Sequence, residues 1–423
     1  MIQNPIPWPD GKRCAVAFTF DMDAESLMHL YFHDTAPNRV GMGAMLRYDA
    51  EIAVPRLLAL LRRYGLRQTF FVPGWCVERY PRAVETILAD GHELGHHGYM
   101  HEKLNQLSRD DERAVLQRAV ETIVKASGRR PRGFRAPSYS FSKHTLGLLL
   151  DEGFAYDASL KGDDIPYALS DGRRTLVELP SDLSLDDWTQ YVCLKDFGYM
   201  LPIASPQRAM EVFRAEFDAA WKYGGLWIAV WHPFVSGRMS RADAIAGLIE
   251  HMQEKGGVWF APLEEITEHT RAVIAAGKWA PRVEQLPFYD RPLDGVVLTG
   301  SGVLRGCGQT PVGDSSRARK RRVRSFRGRD RSSAGGPSST TRPASMNTTR
   351  SATSRANAIS WVTTIMVIPS AARPRITLST SPTSSGSSAD VTSSNSMISG
   401  FMASARAMAT RCCWPPERRA GYS

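Results

Sequence analysis

Asp21 and Asp23 end the apolar run Ala15-Val-Ala-Phe-Thr-Phe20, and four histidines, His92, His96, His97 and His101, crowd into residues 91–101. Two carboxylates two residues apart at a strand end face the same side of the strand. One can bind a metal ion while the other stays free to accept a proton. Two histidines with three residues between them can reach one ion together, and Asp plus two His leaves coordination positions open. Open positions mark a catalytic rather than a structural metal. The spacing therefore points to a metal-dependent hydrolase. It is satisfied in two phases, 92/96 and 97/101, which spacing alone leaves open.

Each element of this constellation also has a plainer reading. An Asp-X-Asp after a strand often caps a loop. His232, before Pro233, can be a structural residue, and Arg135-Ala-Pro can be an ordinary strand exit. What argues for chemistry is their recurrence at successive strand ends of one domain. Apolar runs predict strands at 13–20, 67–72, 92–96, 132–136, 154–157, 175–180, 226–231 and 257–261. Helical spacing falls between them at 52–64, 81–90, 109–127, 143–152, 206–223 and 240–255, with Ser108 and Ser142 as N-caps and Gly65, Gly91 and Gly128 as stops. Such alternation implies an α/β fold with a parallel sheet or barrel covered by helices, its chemistry at the strand C-termini. Residues 24–50 and 158–174 read as long polar loops, candidates for lids or specificity walls.

The net charge of +10 divides unevenly along the 423 residues. Nineteen of the 53 basic residues and four of the 43 acidic ones lie beyond residue 300, leaving 34 against 39 before it. The front part is mildly acidic and gives no electrostatic case for nucleic acid. Residues 1–295 form the expected catalytic domain. Residues 296–423 are Ser/Thr/Arg/Ala/Gly-rich, with a run of charge at 317–331, and cannot bury enough apolar surface to offset chain entropy. That low-complexity basic tail is expected to be disordered, or to be out-of-frame text from a GC-rich gene. No basic segment leads into an apolar core at the start, and no apolar run reaches membrane-spanning length, so neither export nor a membrane span is expected. Six cysteines without a CxxC pair fit a reducing, cytoplasmic setting.

Thr19-Phe-Asp-Met-Asp23, Gly91-His-Glu-Leu-Gly-His-His-Gly-Tyr-Met-His101, Arg135-Ala-Pro-Ser138, Asp187-Trp188 and Trp231-His232-Pro233 follow one another in an order that resembles the polysaccharide deacetylases of the NodB-homology type. His232-Pro-Phe-Val-Ser-Gly-Arg238 and the long first loop look most like the intracellular branch with PgdA-like and allantoinase-like members. The resemblance covers about residues 10–290. It implies a distorted (β/α) barrel, usually seven-stranded. It further implies Asp21 as general base, and Asp23, His97 and His101 as ligands of a divalent metal, zinc before cobalt, nickel or iron. Arg135 would hold Asp21 ionised and aimed. His232 would be the general acid that protonates the leaving amine, with Asp187 orienting it. Trp188 would wall the cleft, and Tyr139 and Arg238 would contact substrate.

Three departures from the family pattern stand out. Asp21-Met-Asp23-Ala replaces the common Asp-Asp-Gly continuation, Ser138 stands where a tyrosine often follows Arg-X-Pro, and Ser184 stands where the fourth motif often begins with Asp. The metal and acid–base residues are all retained. The first expectation is hydrolysis of a non-peptide C–N bond, namely N-deacetylation of an N-acetylated sugar such as a chitooligosaccharide or peptidoglycan fragment. A small amide, cyclic imide or ureide is the alternative, and a binding protein with a decayed site is the alternative from another class. The partner is thus a small-molecule or oligosaccharide substrate, and the resemblance allows a homo-oligomer.

Overall fold

The computed structural model describes residues 1–292, so the expected boundary at 295 and the tail lie outside the described residues. Eight strands were expected and twelve are present among the described residues. They are β1 (Cys14–Asp21), β2 (Thr69–Val72), β3 (Glu93–His96), β4 (Gly133–Phe134), β5 (Tyr156–Asp157), β6 (Tyr167–Ser170), β7 (Thr175–Glu178), β8 (Cys193–Leu194), β9 (Tyr199–Met200), β10 (Leu226–Trp231), β11 (Val258–Phe260) and β12 (Val283–Gln285). The principal sheet is ordered β10-β1-β2-β3-β4-β5-β7-β6-β12, with β11 also on β1. It is parallel throughout except for β6 against β7, which is antiparallel. A single parallel bridge, Asp186 to Val230, returns the chain after β7 toward β10. The seven segments from β10 to β7 are thereby drawn round toward one another, in keeping with the expected distorted barrel.

β1 is buried along its whole length because both faces are covered. Cys14, Val16, Phe18 and Phe20 pack with Trp227 and Trp231 under the helical layer, whereas Ala15 and Ala17 face Ile228, Val230, Phe71 and Tyr156 on the inner side. A strand covered on both faces reads as a continuous apolar run, which is why its sequence signal is strong. The inner side is tight. A Cβ on Gly133 would meet the Tyr156 hydroxyl at 2.1 Å, so glycine is required there.

The helices are α1 (Ser26–Phe32), α2 (Val40–Tyr48), α3 (Val54–Arg63), α4 (Gly74–Arg79), α5 (Pro81–Ala89), α6 (Arg109–Ser127), α7 (Thr145–Glu152), α8 (Asp187–Tyr191), α9 (Pro206–Tyr223), α10 (Pro233–Ser236), α11 (Met239–Lys255) and α12 (Leu263–Ala275). Ser108 caps α6 through the Asp111 N–H, and Gly128 ends it at φ 73°. The Ser142 cap is corrected: α7 begins at Thr145, and Ser142 instead accepts from His144 N–H and donates to Glu112. The two expected loops are also corrected. Residues 24–50 carry α1 and α2, joined to α3 by a π-helical turn, Asp49–Ala53. Residues 158–174 carry β6, whose four residues are too short a run to give a clear period.

Candidate active site

Strand alternation puts Thr19 and Asp21 on the inner side of β1, and the chain turns at its end so that Asp23 faces the same space. The turn is held by Met22 N–H donating to Phe71 O at 2.9 Å, and Ala24 adopts φ 44°, a left-handed conformation rare for alanine. Arg135, leaving β4, is fully buried. Its Nη1 donates to Asp21 Oδ1 at 2.6 Å and to Thr19 Oγ1 at 2.8 Å, its Nε donates to Ala158 O at 3.1 Å, and its guanidinium lies over the Phe71 ring at 4.3 Å. Burial by itself would raise the Asp21 pKa, but the cations beside it, Arg135 foremost, bring it below the usual carboxylate range. Asp21 is therefore an ionised carboxylate aimed by a guanidinium, as a general base must be.

The two histidine phases separate cleanly. His92 Nδ1 accepts from Gln68 N–H, and His96 Nε2 donates to Leu116 O, both away from the carboxylates. Burial lowers their pKa values to about 4 and about 3, so both are neutral core side chains. His97 and His101 turn inward past β3 instead. His97 Nε2 is 3.5 Å from Asp23 Oδ1, and His101 Nε2 is 3.6 Å from Asp23 Oδ2. His97 Nδ1 donates to Arg135 O at 2.9 Å, which fixes the ring with Nε2 toward Asp23. His101 sits at φ 66°.

Asp23 tests whether these residues suit a cation. Both its oxygens are buried and have no hydrogen-bond partner. An orphaned buried carboxylate is costly unless a cation meets it. The ligating atoms of Asp23, His97 and His101 lie within 4.8 Å of one another, with one carboxylate and two imidazoles in a set that suits a divalent metal. Asp186, Asp187 and His232 are equally close together, but their atoms are already committed. Asp187 accepts from His232 Nδ1–H at 2.7 Å, from His232 N–H at 2.9 Å and from Ser236 Oγ at 2.5 Å. Asp186 accepts from Tyr139 OH at 2.6 Å and from Trp188 N–H at 2.8 Å. The first cluster fits a metal and the second does not.

His232 caps α10 with its Nε2 pointing 3.7 Å from Asp23 Oδ2. Burial would lower its pKa, yet the Asp187 carboxylate raises it well above the usual value, which favours the protonated ring. Trp188 lies edge-to-face on it, centroids 5.1 Å apart, and makes a second edge contact with Tyr199 at 5.3 Å.

Nine of the ten expected residues connect through these contacts. Tyr139 joins with its hydroxyl donated to Asp186 and with Lys161 Nζ 3.4 Å over its ring. Arg238 is held elsewhere: it stacks on Tyr48 at 3.7 Å and donates from Nε to Phe234 O at 3.2 Å. Three neighbours escaped the sequence analysis. Asp186 was legible as an N-cap before the short helix carrying Trp188. Ser236 and Asp49 gave no local signal, because their partners are far along the chain.

Residues 12–156 match the family model for polysaccharide deacetylase. The chain is 30% identical over 287 residues to a peptidoglycan deacetylase of Helicobacter pylori, covering 61% of this chain and 96% of the relative. It is 28% identical over 253 residues to a peptidoglycan deacetylase-like protein of Gibberella zeae, covering 52% and 75%. A solved structure from Mycobacterium smegmatis, assigned to the polysaccharide deacetylases, superposes with a TM-score of 0.64 at 41% identity, covering 69% of this chain and 99% of that one. An allantoinase shares the fold at a TM-score of 0.56 and 22% identity, covering 64% and 95%. Among the described residues no helix is long and apolar enough to cross a membrane. With 30% identity over 96% of the H. pylori protein, the chain belongs to the polysaccharide deacetylase family, hydrolases of non-peptide carbon–nitrogen bonds.

Proposed function

We propose that this chain hydrolyses the acetamide of an N-acetylated sugar, with Asp23, His97 and His101 holding a divalent metal, zinc in the first instance. The observation that carries the reading is the buried Asp23 carboxylate, without a hydrogen-bond partner and faced by the imidazole nitrogens of His97 and His101. A bound zinc would polarise the acyl oxygen and make water acidic enough to attack near neutral pH. The protein's own groups supply the proton traffic. Asp21, kept ionised by Arg135, takes the proton from the attacking water. His232, kept protonated by Asp187, gives a proton to the departing amine. Without that proton the leaving group would be an amide anion, so His232 is needed at bond cleavage.

A small amide, imide or ureide remains the second reading, and the cover over the cleft favours it. Phe197, between β8 and β9, meets Tyr31 and Phe32 of α1 at 5.6 and 5.4 Å, while Tyr199 on β9 meets Trp188. Arg39 ties the same segments together by an ion pair to Asp196 at 3.1 Å. The 24–50 segment and the β8–β9 segment thus interlock beside the His232–Trp188 pair, which suits a short or terminal unit better than the interior of a polymer.

Carboxylate release from N-acetylglucosamine oligomers and from small cyclic amides and ureides, each with and without chelator, tests both readings. Chelator-sensitive release from the oligomers is expected. Release from the small panel alone would replace the sugar by the small amide, and release that chelator leaves untouched would remove the metal from the mechanism.

Asp187→Asn supplies a pH test. The carboxylate raises the His232 pKa, so its loss lowers that pKa. Activity that needs the imidazolium is present below the His232 pKa and lost as pH rises through it. The alkaline limb of kcat should therefore move to lower pH in Asp187→Asn. An unmoved limb would detach His232 from the acid role.

A further inference from the structure

Asp49 takes no part in the proton transfers above, yet it is fully buried and both of its oxygens are engaged. Oδ2 accepts from Ala24 N–H at 2.8 Å, and Oδ1 accepts from Phe234 N–H at 2.8 Å. These amides belong to the residue after Asp23 and to the second residue after His232. The first sits in the left-handed turn at Ala24, a conformation that needs support from outside the turn. The second lies in the first turn of α10, where amides have no partner within the helix. One carboxylate therefore bridges the two loops that carry Asp23 and His232.

The bridge comes from the inserted segment. Asp49 opens the π-helical turn between α2 and α3, a local widening of the helix found often beside functional sites. The segment is seated by other contacts as well: Arg56 Nη1 donates to Gly237 O at 2.6 Å, and Gly237 packs so closely on Ala53 that a Cβ there would lie 2.5 Å from the Ala53 methyl. Those contacts do not involve the Asp49 carboxylate, so removing it leaves the helix docked.

We propose that Asp49 is a positioning residue, whose carboxylate locks the Asp23 loop against the His232 loop and so sets the 3.7 Å separation of His232 Nε2 from Asp23 Oδ2. The proposal rests on the roles given to Asp23 and His232 above. Its chemistry is specific to a carboxylate. Two converging N–H donors need two acceptor oxygens, and asparagine offers one oxygen and turns an NH2 group toward the other donor.

The test is a double-mutant cycle of Asp49→Asn with His232→Ala in the zinc-loaded full chain, assayed on the N-acetylglucosamine trimer, together with competitive zinc titration of the metal-free proteins. Asp49→Asn should lower kcat about 100-fold, the loss that roughly 1 Å of misplacement can cause, with KM little changed. In the His232→Ala background it should cost only a few-fold, because the acid it aligns is gone. Zinc affinity should fall about tenfold through the Ala24–Asp23 side, as for other residues that orient a ligand. A full loss in the His232→Ala background, or a kcat close to that of the parent, overturns the proposal.

The zinc titration needs no substrate and separates the two readings. If His232→Ala keeps full activity, the acid assignment fails. Weakened zinc binding in Asp49→Asn then sustains the positioning role on the Asp23 side, and unchanged binding overturns it. Should Asp49→Asn not fold by circular dichroism, Asp49→Ser, which keeps an acceptor and removes the opposed NH2, carries the same outcomes.

Discussion

Asp23→Ala is expected to lose zinc and turnover together, with zinc affinity falling by more than the roughly 10–100-fold that loss of a ligand's supporting partner costs. Asp23 is the one carboxylate of the cluster, and His97 and His101 both approach it, so its removal leaves two imidazoles and no carboxylate among the ligands. The effect on stability should run the other way. In the metal-free protein Asp23 is buried without a hydrogen-bond partner, and its pKa is raised chiefly by that burial. Replacing such a group by a methyl relieves a desolvation cost. The metal-free variant should therefore unfold at a temperature no lower than the metal-free parent. Zinc at a hundred times its dissociation constant should stabilise the parent by about 2.7 kcal/mol and the variant by nothing. Thermal unfolding with and without zinc measures both. A variant that zinc stabilises as strongly as the parent would show that the metal is held elsewhere.

Asp21→Asn should do the opposite: hold its metal and lose turnover by about 10²–10⁴, the range of a general base. Asp21 Oδ2 is 3.9 Å from His97 Nε2, farther than either oxygen of Asp23 lies from its nearest histidine, and its Oδ1 is taken by Arg135. Asparagine can still accept from the guanidinium but cannot take a proton. The substitution also leaves Arg135 as a fully buried cation without its counter-charge. Breaking a buried pair in this way typically costs roughly 3–5 kcal/mol, reduced here by the hydrogen bond that asparagine keeps. Kinetics should accordingly be measured well below the unfolding midpoint, beside a zinc titration. Normal turnover in Asp21→Asn would show that the base is another group, and lost zinc would place Asp21 among the ligands.

The chemistry was legible where it depends on neighbours in sequence. Asp21 and Asp23, and His97 and His101, are each separated by a few residues, so one short stretch of backbone can bring each pair to one side of the chain, and the Asp187–Trp188 pair is contiguous in sequence. The strands that present them were legible too, since β1 and β10 are buried on both faces and read as unbroken apolar runs. The 24–50 segment escaped for the converse reason. α2 is rich in glycine and methionine with only Leu46 buried, so it has no clear apolar stripe and helical spacing cannot show it.

Spacing left open which histidines face the carboxylates; the resemblance named His97 and His101, and the tertiary structure turns that pair toward Asp23. His92/His96 and His97/His101 have the same spacing, and the choice fell to the end of β3, where the first pair meets Gln68 and Leu116 and the second passes into the cleft. It also decided the long-range pairings. Arg135 reaches Asp21 across 114 residues, Asp187 reaches His232 across 45, and Asp49 joins amides 25 residues before it and 185 after it. Local pattern carries information over one or two turns of chain, because that is the reach of backbone geometry. Whether a buried charge finds its partner depends on how the strands are ordered in the sheet, and that order exists only once the chain has folded.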